Sequence, residues 1–363
     1  ERLFRRDLMT NIRTSMEKHR MDDGVIITTF QFLSSVLVAV GDKGRRTSLA
    51  KPSYDDDDLN GSATCQESFV TKSIMKTIPL ILGIMRSNKN NARVLSASGY
   101  FLRTMSLSTN KLHDECVASG APNIMLAAFL NDHHVKDSHS LPGILAGLST
   151  FLSKEEIPRK NKKLSPMLLV FAGHSELNKS GDGLIDDCPT GFERVLETCC
   201  ERHGKHPKVV VRSMELMSIL LARIPTHILD HEHRAWIRGT VIRVVIYVLS
   251  LHPNDSCLLA AACQVVCGCM GTPKVSLQLM HNGLAKQLLD GLEVHGKCNP
   301  NVVHGVCRVV YGLASSRTTR QILIHKFDGL KSTIKILFGM WAGSNNKVKR
   351  WGKECIGKLS LPC

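Results

Sequence analysis

The sequence predicts an all-α protein assembled from stacked helical repeats. Three observations point there. Residues 254–292, NDSCLLAAACQVVCGCMGTPKVSLQLMHNGLAKQLLDGL, share their layout with residues 299–337, NPNVVHGVCRVVYGLASSRTTRQILIHKFDGLKSTIKIL, and hardly share their residues. Each has an Asn-containing polar start, a helix-length apolar run, a short polar break, a second apolar segment, a Gly and a third apolar segment. That Gly returns as Gly191, Gly239, Gly283 and Gly329, at spacings of 48, 44 and 46. Finally, the apolar spacing is helical throughout, and strand-like alternation is missing.

Composition supports helix-on-helix packing. The chain of 363 residues is 43% apolar and 22% charged, enough for a sizeable core, but only 5% aromatic. Its core must be built from Leu, Ile, Val, Ala, Met and Cys, which suit helices better than a β-sandwich. The 13 cysteines are scattered, and most sit inside apolar runs, as Cys257, Cys263, Cys267, Cys307 and Cys355 do. There a thiol acts as a small hydrophobe, and the odd count favours a reducing compartment. The opening ERLFRRDLMT has no apolar signal-peptide core, and without an initiator Met it fits a fragment of a longer protein. The longest uncharged apolar stretch, 257–270, is short of the roughly 20 residues a membrane span needs. These features predict a soluble, intracellular protein, cytoplasmic first, with cytoskeleton, cilium and nucleus left open.

Taken in order, residues 1–40 are helical in pattern, without a fixed repeat register. Residues 41–66, GDKGRRTSLAKPSYDDDDLNGSATCQ, read as an acidic, Ser-rich loop or linker. A repeat array follows over 67–363, with KSIMKTIPLILGIM near Ser73 as its first unit and Gly120 as its next turn. The longer gap of 71 from Gly120 to Gly191 holds a polar insertion loop at about 153–187. The recurring Gly is expected at a sharp helix-to-helix turn, where a left-handed residue carries no Cβ penalty. The helix starts recur too: NNARVLSASGYFL, HPKVVVRSMELM, PNDSCLLAAACQVV, NPNVVHGVCRVV and NNKVKRWGKECIGKL, each with Asn or Pro as cap or first-turn residue. In the last, Val348, Trp351, Cys355 and Leu359 form one apolar stripe expected to face inward.

The pattern N-x-x-V, A/G-x-x-L, then I/L-x-x-x-G followed by an apolar run, resembles the armadillo repeat. It shows best in 299–340 and 254–292, and more loosely in 90–130, 131–152 and 206–250. HEAT repeats are the near relative. The resemblance implies a right-handed armadillo-type α-solenoid of two- or three-helix repeats of about 46 residues. It also implies a protein-interaction role, with the last helix of each repeat lining a concave groove. Arrays of this kind serve cytoskeletal, ciliary, signalling and transport assemblies.

No catalytic constellation is visible. Cys199, Cys200, His203 and His206 have metal-ligand residue types, but C-C-x-x-H-x-x-H matches no zinc template. They read instead as a helix end. Cys263, Cys267 and Cys269 lie in an apolar run and read as core. His231 and His233 are too close in sequence to share a helix face, and SGDGLIDD lacks the alternating acids of a calcium loop. There is no phosphate-binding glycine motif and no nucleophile elbow. No enzyme activity, cofactor or metal is expected.

Charge is more informative. The net charge is +15, and residues 297–363 carry twelve Lys and Arg against Asp328 and Glu354, so 12 − 2 = +10 sits at one end. Such an end attracts an acidic partner. On the expected groove helix, Lys347, Arg350, Glu354 and Lys358 form a row at i, i+3, i+7 and i+11. One repeat earlier the row is Asn301, His304, Arg308 and Gly312. The nuclear-import adaptors among armadillo proteins carry Trp and Asn four apart on such rows, to clamp a basic peptide. The matching pairs here are Arg308/Gly312 and Glu354/Lys358, so that ladder is absent and the charge reversed. Candidate partner-binding residues are therefore His304, Arg308, Lys347, Arg350 and Lys358. The expected ligand is an acidic or extended segment of a protein partner. Nucleic acid on the basic C-terminal repeats is the alternative, or a role as the regulatory arm of a larger enzyme.

Overall fold

A computed structural model describes residues 6–49, 71–131, 137–154, 166–171, 191–224, 231–270 and 273–361. Among these residues every regular element is helical. The chain divides into two compact units, Glu1–Glu156 and Ile157–Cys363. The division falls inside the predicted insertion, whose flanks at 155–165 and 172–187 lie outside the described residues. Between those flanks the apolar Pro166–Phe171 forms a helix rather than loop. Residues 41–49, expected in the linker, are helical instead. The helix before it runs through Leu49, and 50–66 lie outside the described residues.

The first unit holds α1 (Arg6–Lys18), α2 (Asp23–Leu49), α3 (Ile78–Ser87), α4 (Ala92–Ser108), α5 (Asn110–Ala118), α6 (Ala121–Leu130) and α7 (Leu141–Lys154). The long helices α2, α4 and α7 stack side by side. Phe30 and Phe101 stack between α2 and α4, with ring centroids 5.3 Å apart. Between α4 and α7 the backbones themselves meet. A Cβ added at Gly143 would lie 2.0 Å from the Ser96 carbonyl oxygen, and one at Gly99 would lie 2.2 Å from that of Gly143. Helix starts are fixed by side chains that take up unpaired amides. Asn91 accepts from the Val94 N–H, and Thr109 from that of Leu112.

The second unit holds α8 (Pro166–Phe171), α9 (Gly191–Arg194, continuing as a π-helical Val195–Arg202), α10 (Pro207–Arg223), α11 (His231–Leu251), α12 (Ser256–Cys269) and α13 (Pro273–His281). It continues with α14 (Leu284–His295), α15 (Pro300–Leu313), α16 (Arg317–Lys326), α17 (Leu330–Trp341) and α18 (Asn346–Leu359). Here α10, α12, α15 and α18 stack in succession, one per repeat. Asp255, Asn299 and Asn345 cap the last three through their side-chain oxygens. Hydrogen bonds about one repeat apart hold the stack in register. The Asn299 amide donates to the Ser256 hydroxyl at 3.0 Å, and the Trp341 indole to the Gly296 carbonyl at 2.8 Å.

Gly120, Gly283 and Gly329 take left-handed backbone angles, φ 82°, 78° and 80°, each just before a helix. The other two predicted turns are corrected. Gly239 lies inside α11, a single 21-residue helix where two were expected. Gly191 opens α9 and packs on Phe171, whose ring would stand 2.8 Å from an added Cβ.

Candidate functional site

On α18 the stripe that faces the core is Val348, Gly352, Cys355 and Leu359, all buried. Trp351, expected in that stripe, is half-buried at its edge instead, because Gly352 takes the central place. A Cβ there would lie 2.5 Å from the Phe338 ring. Trp351 stands one 46-residue repeat after Gly305, a glycine pressed against Cys263, where a Cβ would lie 2.7 Å from the cysteine Cβ. At that register the last repeat has room for an indole, and the indole reaches back to α15.

The result is a cluster of two rings and three cations. Tyr311 and Trp351 meet edge to face with centroids 5.6 Å apart. The Arg308 guanidinium lies over the Trp351 ring at 5.3 Å and that of Arg350 at 5.6 Å. The Lys358 ammonium lies over Tyr311 at 5.6 Å. Arg350 is exposed, while Arg308 and Lys358 are half-buried. Among the described residues none of the three has a carboxylate within ion-pair distance, and Glu354 is exposed on the same helix. Each cation–ring contact contributes about 0.5–1 kcal/mol, and the stacking restricts the side chain's rotamers before any ligand arrives.

The other two predicted residues stand apart from the rings. Lys347 is exposed on the first turn of α18. His304 is half-buried, and its pKa is lowered to about 4 by burial first and then by Arg308 and Lys347. At neutral pH it is an uncharged imidazole and adds no positive charge to the row. Tyr311 and Trp351 were missed in the sequence as site residues. Their signal is adjacency, since Trp351 follows Arg350 directly and Tyr311 lies three residues after Arg308.

Among the described residues the other chemistry-bearing groups form no larger cluster, though the His203 and His206 rings meet as a pair with centroids 5.9 Å apart. Cys200 and His203 are buried and His206 is exposed, while the Cys199 side chain lies outside the described residues, as do those of His231 and His233 and the SGDGLIDD stretch. Among the described residues no three His, Cys, Asp or Glu side chains gather at one point. Cys263 and Cys269 are buried, and burial pushes the thiols of Cys267 and Cys269 up to about 11 and about 12. Such thiols stay protonated and weakly nucleophilic. A cleft of about 350 Å³ in the first unit is lined by His113, Asp114, Val117, Pro122 and Phe151.

No protein-family model matches the chain, and no curated protein matches it. Among solved structures, the crystal structure of an engineered protein matches with a TM-score of 0.51 at 11% identity, over 78% of this chain and 98% of that one. A designed armadillo repeat protein matches with a TM-score of 0.43 at 10% identity, over 78% of this chain and all of that one. With its capped helices, left-handed glycine turns and stacked helices, each unit is an all-α array of helical repeats, and the likeness to the engineered protein is one of fold alone.

Proposed function

We propose that this protein is a non-catalytic interaction scaffold that binds an acidic, extended segment of a protein partner across α15 and α18. The observation that carries the reading is the trio Arg308, Arg350 and Lys358, held on two aromatic rings with no carboxylate within ion-pair distance among the described residues. Stacked guanidiniums are weakly hydrated forks suited to carboxylates. Lys347 lies further along the same exposed side and extends the attraction, while His304 supplies a neutral contact. Nucleic acid is the weaker reading, because guanidiniums already lie over the Trp351 ring on which a base would stack. Among the described residues no helix is long and apolar enough to cross a membrane. The free thiols of the described cysteines suit a reducing, intracellular setting.

The test is binding of a fluorescent oligo-glutamate peptide to wild type and to the triple variant Arg308→Glu, Arg350→Glu, Lys358→Glu. Wild type should bind with an affinity that declines as salt rises, and the variant should lose binding with unchanged helical content. Equal binding by both proteins at low salt would overturn the reading. So would tighter binding of a mixed-sequence oligonucleotide than of the peptide.

A further inference from the structure

The cleft of about 350 Å³ in the first unit lies among α5, α6 and α7. Ligand pockets begin at roughly 300 Å³. The left-handed turn at Gly120 carries the chain from α5 into α6 and brings Pro122 to the same cleft as Val117 and Ala118. Phe151 of α7 completes the apolar wall, with its ring centroid 5.8 Å from that of His113. Among these apolar groups the sequence places an imidazole. His113 is only 9% exposed, and its buried neighbours on α5 are Leu112 and Cys116. Its Nδ1 is sealed from solvent and has no hydrogen-bond partner. Its Nε2 has no partner among the described residues either but is not sealed, so it is the nitrogen that meets the cleft. A buried polar ring left unmatched costs folding free energy that a Phe at the same place would not, so its use lies outside the free protein.

The charges around His113 narrow what it can receive. Lys154 and Asp114 act on the ring with opposite signs, and burial keeps it neutral. The Lys154 ammonium is already held by the Ser106 carbonyl and by the Asn110 side-chain oxygen. Asp114 is exposed at the cleft, with no cation within ion-pair distance among the described residues. A neutral imidazole with no acceptor at Nδ1 carries its proton on Nε2, because an orphaned lone pair costs less than an orphaned N–H. The cleft thus offers one N–H donor, one carboxylate acceptor and an aromatic face, with balanced charge.

We propose that this cleft is a binding site for a small, uncharged aromatic amide. The ligand ring lies against Phe151 and Pro122, the amide oxygen accepts from the His113 Nε2–H, and the amide N–H donates to Asp114. A carboxylate in the same place would face Asp114, and an ammonium would meet the imidazole N–H, so both charged analogues are rejected. The test titrates the protein with benzamide and follows the imidazole and phenylalanine ring signals by NMR. Saturable shifts are expected at His113 and Phe151, with benzoate and benzylamine about tenfold weaker, as the loss of one hydrogen bond dictates. Two variants tie the result to the cleft. His113→Phe keeps a flat ring and removes the donor, while Ala118→Trp fills the cleft from its exposed rim. Each should weaken benzamide binding by about tenfold with helicity unchanged. If His113→Phe loses helicity, Ala118→Trp alone decides. The proposal is overturned by any of three results: no saturable shift up to the solubility limit of benzamide, equal binding of either charged analogue, or a folded variant that binds like wild type.

Discussion

The Trp341 indole on α17 donates to the Gly296 carbonyl at the end of α14, 45 residues earlier, at 2.8 Å. The bond joins corresponding helix ends of two successive repeats and satisfies a helix-end carbonyl that has no partner inside its own helix. Trp341→Phe keeps the ring and removes the donor. It should destabilise the protein by about 1 kcal/mol, measured as a lower urea midpoint with an unchanged slope.

Gly283 and Gly329 have left-handed angles and open surroundings, with nothing nearer an added Cβ than the Ser332 hydroxyl at 3.8 Å. The cost of a side chain there is backbone strain alone. Gly283→Val and Gly329→Val should each cost roughly 1–3 kcal/mol. Gly239 also has open space but lies within a helix, so Gly239→Ala should raise stability by about 0.5–1 kcal/mol. Thermal melts of the three variants would separate the two kinds of glycine, and equal shifts would refute the distinction.

That contrast shows what the sequence could reveal. Each turning glycine follows a polar residue that ends a helix readily: Ser119, Asn282 and Asp328. Gly239 follows Arg238, which favours continuing a helix, so equal spacing concealed different local chemistry. The helical class, the repeat length and most of the capped starts were legible because each depends on local pattern, although α12 is capped by Asp255 rather than by the expected Asn or Pro. The ring cluster was not. Spacing places Trp351 with Val348 and Cys355, but which flank of a stripe is covered depends on the neighbouring helix, here on Gly352 meeting Phe338. The import-adaptor pattern also directed attention to Gly312 and Glu354, while the rings stand at neighbouring positions.

Gly143 poses the opposite problem from Gly283. Its Cβ would meet backbone rather than a movable side chain, so α4 and α7 would have to part. Gly143→Ala should cost about 1–3 kcal/mol through overpacking. Gly83→Ala within α3, where an added Cβ meets nothing within 4 Å, should be neutral or mildly stabilising. Proteolysis rates of the two variants would check the pair, with the Gly143 variant cut faster.

His304 supplies a pH signature. Its folded-state pKa, about 4, lies below the ordinary histidine value of 6.5. Between those values the unfolded chain takes up a proton that the folded chain resists. The contribution of His304 to stability is therefore intact above about pH 6.5 and declines as pH falls toward 4. His304→Gln should flatten that part of the stability profile and leave stability at pH 8 little changed. NMR titration of the imidazole would check the value directly.

Cys263, Cys307 and Cys355 occupy three successive stacked helices, α12, α15 and α18, and all are buried. Burial raises the pKa of Cys263, while the hydrogen bond with Cys307 raises that of Cys355. Nature has thereby placed a silent chemical clock in each layer. A thiol reagent that cannot reach them in the closed stack will record when each layer opens, without any label being engineered. If the array unzips from its terminal layer, mass spectrometry will find Cys355 tagged first, then Cys307, and Cys263 last; simultaneous tagging would mean that the three layers open as one cooperative unit.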